Sequence, residues 1–248
     1  RASYSPHHRF ITMKNWEHPY KMMACVYGGT KGYHLTPNGL ALQLYAYGYA
    51  LAPDAAAYES YWSKDHAYHQ SVTGSNTVLP GYTEGEVTIN AMEPSVLSGS
   101  FVNEKALTSF LNFVDVSAGE KRRTVIMVEN TPYSGYYVDV FRSDQNDNDY
   151  LFHHVGSSMD LSDAEGNCMQ MVAEESFQKK YHGGYDWFTN IRKTDYDGDF
   201  VASWTMPEGI KARLWMAGMP SREIYQMDAP ATTMNKGLTP GNISMPPA

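Results

Sequence analysis

Apolar and polar residues alternate in short runs along much of this chain. The clearest run covers residues 40–47: Leu40, Leu42, Leu44 and Ala46 share one parity, and Ala41, Gln43, Tyr45 and Tyr47 share the other. A period of two, bounded by glycine and proline, predicts a half-buried strand. A polar turn with His34, Thr36, Pro37, Asn38 and Gly39 precedes it; Gly48 turns it, and a second apolar segment ends at Asp54. The pattern places an imidazole where one strand begins and a carboxylate where the next ends.

The same pattern predicts further strands at 10–13, 76–79, 87–91, 107–116, 123–129, 136–142, 150–155, 200–204 and 210–216, with weaker stretches at 169–179 and 186–192. Many short strands separated by turn signals predict an all-β fold, a large antiparallel β-sandwich with two long curved sheets. We expect one sandwich domain over residues 1–228. Residues 229–248, rich in Pro, Gly, Met and Thr, read as an irregular tail. Asp197-Gly198 is a hairpin cue ahead of the strand at 200–204. The run Asp144-Gln145-Asn146-Asp147-Asn148-Asp149 reads as a hairpin loop. As a calcium loop it lacks the glycine and the distal glutamate such loops use. Tyr58, Tyr61, Trp62, His66, Tyr68 and His69 follow no period and read as a surface loop, where binding groups concentrate.

Composition narrows the functions. The 248 residues are 42% hydrophobic and 19% charged, enough for a packed core. A net charge of −8 argues against non-specific nucleic-acid binding. An anionic ligand would need a local cationic patch; Lys121, Arg122, Arg123, Arg142, Lys179, Lys180, Arg192 and Lys193 are candidates. The 19 tyrosines suit sheet surfaces and sugar-binding clefts alike. Cys25 and Cys168 allow at most one disulfide. No run approaches the ~18 apolar residues of a membrane-spanning helix. The chain opens at Arg1 without an initiator methionine and reads as a piece of a longer protein. It has no nucleophile elbow, phosphate loop or dinucleotide fingerprint, and we expect no cofactor.

Three blocks carry a resemblance. His34-Leu35-Thr36-Pro37-Asn38, followed by a strand, Gly48 and Asp54, resembles a His-x-His-Pro-Asp pattern. Ser75-Asn76-Thr77-Val78 resembles His-Asn-Thr-Val. The third block runs from Arg122 to Val128, then through Tyr137, Val138, Val140 and Phe141 to Tyr150, Leu151, Phe152 and His153. In order and spacing these are similar to the C-terminal β-sandwich region of the heparinase II/III-like polysaccharide lyases.

The resemblance implies cleavage of an acidic, uronate-containing polysaccharide by β-elimination, outside the cytoplasm, with a helical domain of the same protein lying upstream. It implies a catalytic role for His34, as base or neutraliser of the uronate charge, and for Tyr58 and Tyr61 as acid or base. Histidine titrates near pH ~6.5, and a tyrosine beside cations can reach the same work. Asn38, Tyr68 and Asn76 are the expected substrate-binding residues. The family's metal positions are Thr36, Asp54 and Ser75 here, which removes two imidazoles and predicts no metal. His153 is expected to partner a buried carboxylate. The alternatives are a carbohydrate-binding or structural sandwich without chemistry, and a sugar-modifying enzyme of another reaction type.

Overall fold

A computed structural model describes residues 2–5, 10–15, 22–27, 40–53, 62, 66–69, 71–80, 110–118, 121–131, 134–144, 148–156, 158–177, 185–206 and 209–230. The chain is almost all β and antiparallel throughout the described pairings.

Five strands form a meander in chain order: β1 (Ala2–Ser5), β2 (Phe10–Lys14), β3 (Met23–Tyr27), β4 (Leu42–Ala46) and β5 (Tyr49–Ala52). Tyr47 and Gly48 join the last two with φ of 55° and 80°. Two central residues at positive φ give the turn geometry that follows the right-handed twist of a hairpin. The alternation predicted β4 as half-buried, yet Gln43 on its second face is buried too, and Tyr45 is half-buried. Gln43, only 5% exposed, sits there because its amide meets the Tyr27 and Tyr45 hydroxyls.

After β6 (Val78–Pro80) come β7 (Leu111–Ala118), β8 (Lys121–Thr131) and β9 (Ser134–Arg142), paired as one sheet. Ile11, Met13, Val26, Leu42 and Leu44 of the five-stranded sheet share a core with Val114, Val116, Val125 and Met127 of β7 and β8. Two antiparallel sheets closed over one apolar layer make the sandwich the sequence predicted. The predicted strand at 87–91 lies outside the described residues.

β10 (Asn148–Tyr150) pairs with β6, whereas β9 pairs with β8. The Asn/Asp-rich run therefore connects two sheets and closes no hairpin between the strands it joins. The predicted strand at 150–155 is a correction of a related kind. Beyond Tyr150 the chain runs without a ladder: Leu151 N–H donates to Thr77 O (2.9 Å) and Val155 N–H to Leu51 O (2.9 Å).

Two further sheets follow. β11 (Ser158–Asp163), β14 (Phe200–Thr205) and β15 (Lys211–Met216) form one; β12 (Val172–Ala173), β13 (Thr189–Asp195) and β16 (Glu223–Asp228) form the other. Leu161, Phe200, Ala202, Trp204 and Ile224 pack between them. Asp197-Gly198 thus links strands of different sheets. Arg222 holds that crossing: it donates to Ala217 O (2.7 Å) and to Gly198 O, and lies over the Phe200 ring. Ala229, placed by the sequence at the start of the tail, packs against two of the cores. Both cysteines are free thiols; Cys25 is buried, and burial, partly opposed by Lys14, pushes it up to about 12.

Candidate functional site

Residues 75–77 lie at the centre of a buried polar clasp. Asn76 is fully buried. Its Nδ2 donates to the carbonyls of Leu42 (3.0 Å), Ala52 (3.2 Å) and Pro53 (3.1 Å). Its Oδ1 accepts from the His153 main-chain N–H (2.5 Å) and faces His153 Nδ1 (3.1 Å). Because that oxygen only accepts, the His153 proton sits on Nδ1. One amide thus ties β4, the end of β5 and the run after β10 together.

Arg123 completes the clasp from β8. It is 0% exposed and forks onto Asp139, Nε to Oδ1 at 2.8 Å and Nη2 to Oδ2 at 2.7 Å. Its Nη1 donates to the carbonyls of Leu40 (2.5 Å) and Asn76 (2.7 Å). Tyr150 donates its hydroxyl to Asp139 Oδ2 at 3.1 Å. Burial alone would lower the guanidinium pKa, but the Asp139 carboxylate and Tyr150 more than reverse this, so Arg123 is held charged. Burial, reinforced by Asp139, pushes the Tyr150 phenol far up and keeps it a neutral donor.

The clasp holds two points of the backbone that matter for the predicted site. Leu40, at φ 59°, follows the segment carrying His34 and Asn38; Pro53 precedes the segment carrying Tyr58 and Tyr61. Leu40 is held by Arg123 and Pro53 by Asn76. His34, Asn38, Tyr58 and Tyr61 themselves lie outside the described residues.

The other two predicted site residues are described, and both lie in the interior. Tyr68 is on α1 (His66–His69), a single helical turn where the sequence predicted an open loop, and is 0% exposed. Its ring meets Phe188 edge-on at 5.8 Å and lies 6.4 Å from His153. Asn76 spends its amide on the main chain. Neither side chain reaches solvent in this arrangement.

His153 partners an amide rather than the carboxylate the sequence predicted, and burial pushes its pKa down to about 3. The neutral ring packs against Tyr68 and Phe188. His154 stacks on Trp204 at 4.7 Å, and burial pushes it down to about 4 against the pull of the Val155 carbonyl. Neither is a proton carrier for an external substrate at neutral pH.

The predicted cationic patch on β8 is corrected. Arg123 is interior, Lys121 is buried, and Arg122 is engaged by Asp115. Of the three positions where the resembling family holds a metal, only Ser75 is described, and it is buried with no imidazole. The residues present do not fit such an ion. Among the described residues no three His, Cys, Asp or Glu side chains form a metal-binding group. Among them, too, no helix is long and apolar enough to cross a membrane.

This all-β sandwich, with its interior clasp around Asn76 and Arg123, is related in sequence to the polysaccharide lyases. The relationship is carried by an endo-acting ulvan lyase of Formosa agariphila, 22% identical over 241 aligned positions, which cover 80% of this chain and 29% of that protein. The chain therefore spans less than a third of the length of the curated relative it matches. Among solved structures, a heparinase III gene product with methylated lysines aligns with 87% of this chain and 42% of its own, at 12% identity and a TM-score of 0.43. A scan against protein-family models finds no match.

Proposed function

We propose that this chain is the C-terminal sandwich of a polysaccharide lyase that cleaves an acidic, uronate-containing glycan by β-elimination outside the cytoplasm. One sandwich domain over residues 1–228 carries the fold, and 229–248 is a tail. The observation behind this reading is the alignment with the ulvan lyase over most of the chain. Ulvan, the polymer in that relative's name, is the first substrate to test.

The reaction needs three acts. The uronate charge is neutralised; a base takes the C5 proton; the electron pair forms the C4–C5 double bond as the C4–O bond breaks and the leaving oxygen gains a proton. His34 is the proposed neutraliser or base, Tyr58 and Tyr61 the proposed proton carriers, and Asn38 a substrate contact. Tyr68 and Asn76 serve the site from the interior, Asn76 by fixing the backbone on either side of it. A helical domain of the same protein would supply the opposite wall of the cleft.

A second reading is a carbohydrate-binding sandwich without chemistry. Thr36, Asn38 and Ser75, which depart from the resembling family's pattern, favour it. Incubating the protein, with the flanking sequence its gene encodes, with ulvan separates the two. Elimination gives an unsaturated, ultraviolet-absorbing product. Retention of the polymer without that product leaves the binding module.

A further inference from the structure

The outward face of the β11–β14–β15 sheet carries an aromatic and two cations in one row. Along β15, Lys211, Arg213 and Trp215 are exposed, while Ala212, Leu214 and Met216 face the other way and are half-buried. Antiparallel register sets Lys211 beside Thr205 and Ser158, Arg213 beside Ser203 and Asp160, and Trp215 beside Val201 and Ser162. Short side chains therefore floor the face next to the row. Alternate strand residues are about 6.7 Å apart, so the row is about 13 Å long, the span of a short oligosaccharide.

Three observations single it out. Trp215 is 59% exposed and adds nothing to the core beneath, which Leu161, Phe200, Ala202 and Trp204 fill. Lys211 and Arg213 make no ion pair among the described residues, whereas Arg122 is paired with Asp115 and Lys193 with Glu223. Asp160, the acid on this face by register, lies two strands from Arg213, about 9.5 Å across the sheet. Two cations with no ion pair among the described residues, in a chain of net charge −8, make a local exception to its field. Edge cations also discourage strand-to-strand aggregation, but that role is worsened, not served, by an exposed tryptophan.

We propose that Lys211, Arg213 and Trp215 form an accessory binding face for an anionic polysaccharide. Trp215 stacks on the C–H face of a sugar ring, while Arg213 and Lys211 pair with its carboxylate or sulfate groups. The choice of a glycan rests on the function proposed above; the face itself rests on the geometry of β15.

Affinity electrophoresis of the 248-residue chain through gels containing ulvan, or a neutral glucan, tests it. The wild type is retarded by ulvan alone, and less so with added salt. Trp215→Ala weakens retardation about tenfold, as loss of one aromatic anchor does, and Trp215→Phe restores part of it. Lys211→Ala with Arg213→Ala removes most of the salt dependence, and all variants melt as the wild type does. Absence of retardation, equal retardation by the neutral glucan, or variants that migrate like the wild type would overturn the proposal. So would a Trp215→Ala variant that turns a dimer into a monomer in sedimentation, since the face would then be a self-association surface. The outcomes also separate the two proposals. Ulvan elimination with Trp215-independent binding ends the accessory face and leaves the lyase. Trp215-dependent binding by this chain, with no elimination by the full gene product, leaves the face and ends the lyase.

Discussion

Arg122 and Arg123 are neighbours on β8, and each binds one aspartate through a two-toothed contact, yet they sit on opposite faces of the sheet. The outer pair joins Arg122, 51% exposed, to Asp115, which Thr124 also serves at 2.8 Å. The inner pair joins Arg123, sealed from solvent, to Asp139 and thence to the backbone at Leu40 and Asn76. The same chemistry does different work on the two faces. Outside, Arg122 stays open to water while Asp115 is buried beneath it with Thr124 as a second partner, so the pair is worth less than the inner one. Inside, removing Arg123 strands the Asp139 charge and takes a donor from the carbonyls of Leu40 and Asn76 in a dry interior. The buried pair acts as a structural pin for the backbone around the proposed site, and the exposed pair does not.

The sharpest way to break that comparison is to truncate each arginine. Arg123→Ala is expected to cost about 3–5 kcal/mol, read as a large fall in the denaturant midpoint, with Asp139→Ala similar in size. A loss no greater than that of an ordinary surface substitution would remove the clasp from the account.

Acid should act on the interior in the next largest degree. His153 and His154 are held neutral, with pKa values of about 3 and about 4 against 6.5 in the unfolded chain. The unfolded state then binds more protons below that value. Stability is complete above about pH 6.5 and falls as the pH drops through about 4 and then about 3. Each unit of separation is worth about 1.4 kcal/mol, so the loss amounts to several kcal/mol. Melting curves from pH 7 to 3 check it, and His154→Gln should flatten the upper part of the decline.

The smallest effect belongs to the outer pair. Arg122→Ala should lower the thermal midpoint by less than Arg123→Ala does, because Thr124 still serves the buried Asp115 carboxylate, and the shift should shrink in high salt. Arg122 and Asp115 are joined by a hydrogen bond that, as the largest influence, holds the Asp115 carboxyl below its ordinary range. Chemical-shift titration of that carboxyl should lose the depression in the variant.

The same two arginines show what the sequence could convey. The strands expected over β2, β7, β8, β9, β14 and β15 are present; in β2, β8 and β14 buried positions alternate with less buried ones, whereas the outward side of β9 leaves Tyr136 and Val140 exposed. On β8, Arg123 is in phase with Val125 and Met127, both fully buried, so its inward direction was written in the pattern although it read as a surface cation. Sheet membership was not legible. Asp197-Gly198 and the Asn/Asp run at 144–149 signal a change of direction, but not which strand the chain meets next. Nor could Asn76 be placed, since its partners Leu42, Ala52 and His153 are 34, 24 and 77 residues away. Tyr68 read as a loop tyrosine because a single helical turn has no room for a period. The row on β15 left a trace in the alternation at 210–216, whose polar parity holds Lys211, Arg213 and Trp215.

The central claim is that the stretch pinned at Leu40 carries a reactive imidazole at His34. Its most direct test is the initial rate of unsaturated-product formation from ulvan by the full gene product and by its His34→Ala variant, with melting curves for both. The account predicts turnover by the wild type and a loss of roughly 10²–10⁴-fold in the variant at an unchanged melting temperature. Equal rates in the two proteins would contradict it.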